Sequence, residues 1–278
     1  MSEVPFTKDN LDGYLKELSK EFRKMNGSRM PAEIILIGGA AVLINYGFRE
    51  MTYDMDAIIQ ASSSMKDAIN HVGDRMGLPN GWLNTDFMKT ASYTPKLIQY
   101  SQYYKTFSNV LRIRTVSAEY LVVMKLMAGR QYKNDLSDVV GILIEQKNAK
   151  KEISLDSIKR AADELYEGYE NLPESSRTFI EAVYQNPDLS ALYEKIREDE
   201  MQNKDILLEF QEDYPDVLNG DNLVDILKAA KAKKKRITTD NTPLSEKSDR
   251  GIFISIFRTL PPIGRKSSEN ENSWPVLP

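Results

Sequence analysis

The chain has 278 residues, of which 41% are hydrophobic and 28% are charged, a composition that excludes a disordered or fibrous protein. Its formal net charge of −4 excludes an overall attraction to nucleic acid, so such binding would need a local basic patch. The absence of cysteine excludes disulfides and thiolate metal sites, and because no stretch approaches about 18 apolar residues, we expect a cytoplasmic protein without a membrane segment.

Helix and strand patterns alternate in the first half of the chain. Apolar residues at steps of three and four predict helices, and short runs rich in β-branched residues predict strands. In chain order the patterns predict helix 8–25, strand 33–37, helix 40–46, strand 55–59, helix 64–77, a short strand within 82–87 and strand 110–116.

After about residue 148 only helical periodicity remains. The helices predicted beyond the last strand are 118–130, 135–147, 154–169, 173–186, 188–202, 203–213 and 221–235. We therefore expect a mixed domain at 1–148, a helical domain at 149–236 and a polar tail at 237–278. The tail contains an apolar stretch, 251–260, which is either a docking segment or a strand on the domain's own surface.

Asp54 and Asp56 stand at the start of the predicted strand 55–59. Because successive side chains in a strand point to opposite faces, the two carboxylates share one face, roughly 7 Å apart along the chain. Their repulsion on a buried sheet is on the order of a few kcal/mol, so the arrangement needs a cation. Oxygen ligands favour Mg²⁺ or Mn²⁺, and Mg²⁺ completes its shell with water and with the phosphates of a nucleoside triphosphate.

Gly38 and Gly39 follow the predicted strand 33–37 and open the next helix. Bare backbone lets phosphate oxygens approach N–H groups, and the helix N-terminus adds positive potential. Each feature is weak by itself, since alternate acidic residues also occur at Glu198 and Glu200. The succession of strand, Gly-Gly, helix and Asp-x-Asp is what favours a nucleotide site.

Lys125 is the only charged residue in the run YLVVMKLMA, 120–128. A lysine in so apolar a run must either extend its amine to the surface or meet an anion. Asp135 and Asp138, three residues apart, share one face of the next helix. They form either a solvated charged face or a pair that orients Lys125 or lines a pocket.

In these stretches, 33–59 and 115–143, the chain resembles the polymerase-β-type nucleotidyltransferase superfamily, and within it the bacterial abortive-infection toxins (AbiEii-like). The first stretch has Gly-Gly and, after a helix, an approach through Arg49 and Thr52 to Asp-x-Asp; the second has a lysine and a helix-borne aspartate pair. The resemblance implies an α+β fold, with a small mixed β-sheet flanked by helices and an all-helical C-terminal domain.

The resemblance also implies an activity and a set of site residues. The activity is transfer of a nucleoside monophosphate from an NTP to an RNA such as tRNA or to a protein, with pyrophosphate released. The biological setting is a toxin–antitoxin or phage-defence system, with a cognate antitoxin as partner. The implied roles are catalysis by Asp54, Asp56, Lys125 and Asp138, nucleotide binding by Gly38, Gly39, Thr52 and Asp135, and Mg²⁺ or Mn²⁺ binding by Asp54 and Asp56.

One departure from the superfamily concerns the general base. Many members carry a third carboxylate on a later strand, but strand 110–116 has none. Asp86 is a candidate replacement. A nucleotide-binding or regulatory protein that has lost turnover therefore stays open. The acidic helices after residue 150, such as 194–205, also allow an adenylyltransferase of small molecules such as antibiotics.

Overall fold

A computed structural model describes residues 5–215, 217–219 and 222–239, without the side chains of 233–239. The predicted docking segment 251–260 lies outside these residues. The strands are β1 Phe6–Thr7, β2 Ala32–Leu36, β3 Met51–Thr52, β4 Met55–Gln60, β5 Leu83–Asn84, β6 Ser101–Phe107 and β7 Leu111–Val116. The α-helices are α1 Lys8–Asn26, α2 Gly38–Asn45, α3 Ser64–Met76, α4 Ala118–Ala128, α5 Asp135–Asn148, α6 Leu155–Tyr166, α7 Glu174–Gln185, α8 Leu189–Asp213 and α9 Leu223–Thr239. Among the described helices, none has the length and apolar character needed to cross a bilayer.

Five strands form one mixed sheet in the order β5-β4-β2-β7-β6. The central strand β2 pairs antiparallel with β4 and parallel with β7, and the outer pairs are parallel for β4 with β5 and antiparallel for β6 with β7. Strands β1 and β3 form a separate antiparallel pair. A small mixed sheet flanked by helices, with no strand after β7 in the part of the chain that the structure describes, confirms the predicted α+β fold class.

The central strands direct alternate side chains into two hydrophobic clusters. Ile34 and Leu36 of β2 pack with α1 and α3 on one face, whereas Ile35 packs with α4, α5 and α6 on the other. In β4 the same alternation places Ile58 on the face of α4 and α5. Asp56 precedes Ile58 by two residues and is therefore directed toward that face as well.

Two elements differ from the sequence prediction. Strand β6 was not predicted, because it lies at the sheet edge and exposes most of its side chains, so its apolar alternation is weak. Helix α8 is continuous over Leu189–Asp213, and the prediction of two helices at 188–202 and 203–213 is wrong. No glycine or proline interrupts this stretch, so a shift in the apolar pattern does not end the helix.

Contacts divide the described chain into two units. The first contains residues up to 130 together with 134–197, and the second contains 131–133 and the chain from 198 onward. The second unit has its own hydrophobic cluster, which includes Leu207, Phe210 and Ile226. Helices α6 and α7 belong to the first unit and pack on α4. The domain boundary between 148 and 149 stays a prediction.

Candidate active site

Gly38 and Gly39, here called the glycine turn, form the start of α2. Gly38 has φ of +54°, a conformation that favours glycine. A Cβ atom on Gly39 would lie only 2.6 Å from Thr52 Oγ1 and 3.0 Å from Arg49 Nη2, and one on Gly38 would lie 3.6 Å from Asp56 Oδ2. Glycine at these two positions therefore lets the polar side chains of Arg49, Thr52 and Asp56 approach the backbone of the turn.

Both aspartates of the Asp-x-Asp pair connect to the glycine turn. Asp56 reaches Gly38 through its carboxylate, and its carbonyl accepts the N–H of Ile37 at 3.1 Å. Asp54 directly precedes β4, and its Oδ1 accepts a hydrogen bond from Thr52 Oγ1 at 3.3 Å. Because Thr52 also contacts Gly39, the structure brings Asp54, Asp56 and Thr52 together around the glycine turn.

This arrangement fits a divalent cation with an incomplete set of protein ligands. Asp54 and Asp56 are both partly accessible, and Gly38 places no side chain beside Asp56. Within the described residues no group of three or more acidic or histidine side chains could hold a metal ion. Two carboxylates would thus leave positions on Mg²⁺ or Mn²⁺ for water and substrate phosphate, which is the mode that Mg²⁺ favours.

Asp86, the candidate general base, lies beyond the short strand next to Asp56. Asn84 of β5 is paired in register with Asp56, and Asp86 follows two residues later. The Asp86 side chain is 74% exposed and forms an ion pair with Lys89 at 2.8 Å. Its role as general base stays a prediction.

Lys125 lies in a buried charge cluster, which we define as Arg49, Lys125, Arg130, Asp135 and Asp138. The Lys125 Nζ atom is 2.9 Å from Asp135 Oδ1 and 2.7 Å from Asp138 Oδ2. Lys125 is only 5% exposed, and Asp135 and Asp138 are 0% and 2% exposed. The alternatives of a surface-extended lysine and a solvated acidic face are therefore wrong, because all three groups are buried and paired.

The charges of this cluster stabilise one another. Burial alone would lower the pKa of Lys125, but the carboxylates of Asp135 and Asp138 outweigh it and raise that pKa. Burial would raise the pKa of Asp135, but the charges of Lys125 and Arg130 hold it well below its usual range. Both Lys125 and Asp135 are consequently ionised over the whole neutral pH range.

Arg49 connects the buried charge cluster to the glycine turn. Its Nη1 atom donates to Asp138 Oδ2 at 2.6 Å, and its Nε atom donates to the carbonyl of Met51 at 3.1 Å. Its Nη2 atom faces Gly39. The site residues predicted from sequence thus form one continuous series of contacts, with Arg49 as the link between the two halves.

One face of α5 holds the segment 47–49 in place. Glu145 Oε1 accepts the backbone N–H groups of Gly47 at 2.7 Å and of Phe48 at 3.0 Å. The Phe48 ring lies against Gly141, and Asp138 binds Arg49. Since Asp138, Gly141 and Glu145 recur at steps of three and four, they share one helix face that fixes both the backbone and the side chain of Arg49.

Gly141→Ala is expected to destabilise the protein by about 1–3 kcal/mol, because the added methyl group would lie 2.7 Å from two carbon atoms of the Phe48 ring. The ring cannot move freely, since Tyr46 and Tyr193 each pack on it with ring centroids 5.8 Å away. Chemical denaturation would measure the change in unfolding free energy. Gly13→Ala is the matched control: its Cβ meets nothing within 4 Å, and helix propensity predicts a gain of up to about 1 kcal/mol. Equal changes in both variants would contradict the packing of Phe48 on Gly141.

Comparison with known families identifies the family of this chain. Residues 13–198 match the model of a family described as "Nucleotidyltransferase of unknown function (DUF6036)". The chain belongs to this family. The matched region contains the glycine turn, both aspartates and the whole buried charge cluster, and the resemblance to the nucleotidyltransferase superfamily is confirmed. No curated protein and no solved structure matches the chain.

The sequence patterns assign no role to two residues of the candidate site. Arg49 appears in the sequence only as part of the polar approach to Asp54, and Glu145 appears as one charge near the end of an amphipathic helix. A signal for Glu145 does exist, because it shares the spacing of Asp138 and Gly141 on one helix face. Its partners, which lie 97 and 98 residues earlier in the chain, are visible only in the fold.

A separate cavity of about 630 Å³ lies at the other end of α2, next to Asn45 and Tyr46. Its acidic side chains are Glu119, Glu145 and Glu152, accompanied by Lys151. Because α2 begins at Gly38 and ends at Asn45, this cavity is about one helix length, roughly 10 Å, away from the glycine turn. The small-molecule adenylyltransferase stays an open alternative.

Proposed function

We propose that this protein is a metal-dependent nucleotidyltransferase that transfers a nucleoside monophosphate from an NTP to an acceptor hydroxyl. The observation that carries the proposal is the meeting of the glycine turn with the carboxylate of Asp56 and with the Thr52–Asp54 contact. Membership of a nucleotidyltransferase family gives this geometry its chemical context. A bare helix N-terminus beside two carboxylates suits a triphosphate and the divalent cation that accompanies it.

The reaction exchanges one phosphorus–oxygen bond for another. The acceptor oxygen forms a bond to the α-phosphorus, the bond from that phosphorus to the α,β-bridging oxygen breaks, and pyrophosphate leaves with the electron pair. The acceptor's proton passes to a base or to water. Bound Mg²⁺ or Mn²⁺ would neutralise charge on the phosphates and orient them for in-line attack.

The residues of the chain divide the remaining tasks among them. Asp54 and Asp56 hold the cation, and Thr52 fixes the carboxylate of Asp54 through its hydroxyl. The backbone of Gly38 and Gly39 approaches the phosphates at the start of α2, where the helix dipole favours negative charge. Positioning and electrostatics of this kind supply most of the acceleration in phosphoryl transfer.

The acceptor and the biological role are proposed from the resemblance to the AbiEii-like toxins. The acceptor is an RNA such as tRNA or a protein hydroxyl, and the setting is a toxin–antitoxin or phage-defence system with a cognate antitoxin. The second candidate is a related protein that binds NTP without turnover. It is favoured by one observation, the exposure of Asp86 and its pairing with Lys89, since no third acidic side chain groups with Asp54 and Asp56 around a metal position among the described residues.

Incubation of the full chain with each α-³²P-labelled NTP, Mg²⁺ or Mn²⁺, and total tRNA or cell protein is expected to label the acceptor. The label should require the divalent cation, because EDTA removes the charge that neutralises the phosphates. γ-³²P-labelled NTP should leave the acceptor unlabelled, since the γ-phosphate departs in pyrophosphate. Gel electrophoresis and autoradiography provide the readout.

The other outcomes of this experiment separate the alternatives. Tight NTP binding without label on any acceptor would support the protein that lacks turnover. Label on an added aminoglycoside, with tRNA and protein unlabelled, would support the small-molecule adenylyltransferase. Label transferred from γ-³²P NTP would identify a kinase and contradict the proposed reaction.

A further inference from the structure

We infer that Arg49 is the residue that anchors the triphosphate of the NTP, and that Lys125 and Asp138 act through it as positioning residues. The inference rests on the proposed function, because it concerns the same nucleotide. It differs from the role implied by resemblance, in which Lys125 itself contacts the phosphates. Three features of the buried charge cluster carry it.

The first feature is the direction of the Arg49 guanidinium. Nη1 binds Asp138 and Nε binds the Met51 carbonyl, whereas Nη2 lies 3.0 Å from the position that a Cβ atom on Gly39 would occupy. Among the described residues Nη2 has no hydrogen-bond partner. Because Nε and Nη1 are both engaged, the guanidinium is fixed in orientation, and Nη2 is the nitrogen whose N–H groups can donate to phosphate oxygens.

The second feature is that Lys125 is already paired with two buried carboxylates. Its amine contacts carboxylates of both Asp135 and Asp138, at 2.9 and 2.7 Å, inside a helix pair that excludes water. A phosphate that drew the amine away would leave two buried carboxylates without this partner, which is costly in a low-dielectric interior. Lys125 is therefore suited to holding Asp138 in place and poorly suited to meeting the substrate.

The third feature is the sharing of one oxygen atom. Asp138 Oδ2 is 2.7 Å from Lys125 Nζ and 2.6 Å from Arg49 Nη1, so it bridges the two cations. Asp135 is bound by Lys125 and by Arg130 Nε at 2.7 Å. The cluster thus has three cations and two carboxylates. Of these five residues, Arg49 is the one whose described contacts extend to Gly39, which makes Arg49 the cation that we expect an incoming triphosphate to meet.

Calorimetric titration with the Mg²⁺ complexes of ATP, GTP, CTP and UTP, and with the four monophosphates, tests the anchor. Arg49→Gln is expected to raise the Kd of the NTP that binds best by about ten- to a hundredfold, since a charge-assisted contact is lost. The Kd of the matching monophosphate should stay within about twofold, because the inferred contact is to phosphates that a monophosphate lacks. Arg29→Gln, at an exposed arginine outside the site, is the matched control and should bind both ligands as the wild type does.

A double-mutant cycle tests whether Lys125 acts through Arg49. Lys125→Met alone should weaken NTP binding. Added to Arg49→Gln, it should have little further effect, because the phosphate contact that Lys125 helps to position is already lost. Asp138→Asn, which keeps the volume of the side chain, provides the same cycle if Lys125→Met fails to fold. The ratio of NTP to monophosphate affinity is the readout, since a loss confined to folding would change both affinities equally.

The results that would overturn the inference are distinct from a failure of the proposed function. Wild-type protein that binds none of the four NTPs would remove the proposed function and the inference together. Wild-type binding that Arg49→Gln leaves unchanged, or weakens equally for NTP and monophosphate, would overturn the inference alone. Additive losses in the cycle would show that Lys125 acts independently of Arg49 and would overturn its role as a positioning residue.

Discussion

Asp56→Asn is expected to lower nucleotide transfer by about a thousandfold or more, while the protein stays folded. Asparagine keeps the size of the side chain but removes the charge beside Gly38 that would hold the divalent cation. Loss of one electrostatic group that stabilises the transferred phosphate lowers the rate by on the order of a hundred- to a thousandfold, and loss of a metal ligand lowers it further. Initial rates at several Mg²⁺ concentrations would measure the effect, with circular dichroism to confirm the fold.

Asp74→Asn is the matched control for this prediction. Asp74 is an exposed carboxylate of α3, away from the glycine turn, so the same chemical change should leave the rate within about twofold. A rate for Asp56→Asn similar to that of the control would contradict metal binding by the Asp-x-Asp pair. Restoration of the rate by high Mg²⁺ would support it, because the variant would then be limited by affinity for the cation.

Lys125→Met is expected to lower the free energy of unfolding by about 3–5 kcal/mol, since removal of one member of a buried ion pair leaves an uncompensated buried charge. Asp135 would keep only Arg130, and Asp138 would keep only Arg49, among the partners that the structure shows for them. Urea denaturation at pH 7 would measure the loss. Lys20→Met provides a matched control, because the Lys20–Glu17 pair is 53% and 31% exposed and should contribute less than about 1 kcal/mol. Equal stability of both variants would contradict a buried, ionised Lys125.

The same cluster predicts how stability responds to pH. Because the pKa of Asp135 is lowered in the folded state, its contribution is fully present above the unfolded value of about 4 and is lost as the pH falls below it. Because the pKa of Lys125 is raised, its contribution is present below about 10.4 and is lost as the pH rises further. Denaturation curves of the wild type and Asp135→Asn should therefore converge below pH 4. A constant difference between them across that range would show that Asp135 is not ionised in the folded protein.

Much of the candidate site could be predicted from local sequence patterns. The strand, the two glycines, the helix and the alternate aspartates lie within 27 residues, from 33 to 59, and each depends on backbone conformation or on strand periodicity. These are local properties, so the glycine turn and the shared face of Asp54 and Asp56 follow from the order of the residues. The proximity of the turn to Asp56 depends in addition on the pairing of β2 with β4. The predicted α+β class follows for the same reason, because helical and strand periods are properties of neighbouring residues.

The local patterns failed to predict edge strand β6 and the continuity of helix α8. Most side chains of β6 are exposed, so its sequence shows little of the alternation of apolar and polar residues that identifies a strand. The segment is a strand because it pairs with β7. In α8 the apolar positions change phase along the helix, although the backbone hydrogen bonds continue. In both elements the deciding interactions lie outside the local pattern.

The sequence by itself determined that Lys125 lies in an apolar helix and that Asp135 and Asp138 share a helix face. The tertiary structure alone decided that these three groups meet, and that Arg49, 89 residues from Asp138, joins them to the glycine turn. Local patterns specify how much of a helix is buried, but a buried charge is tolerated only beside a partner that packing brings from elsewhere in the chain. The choice between a lysine that meets the surface and one that is paired in the interior is therefore made by the fold.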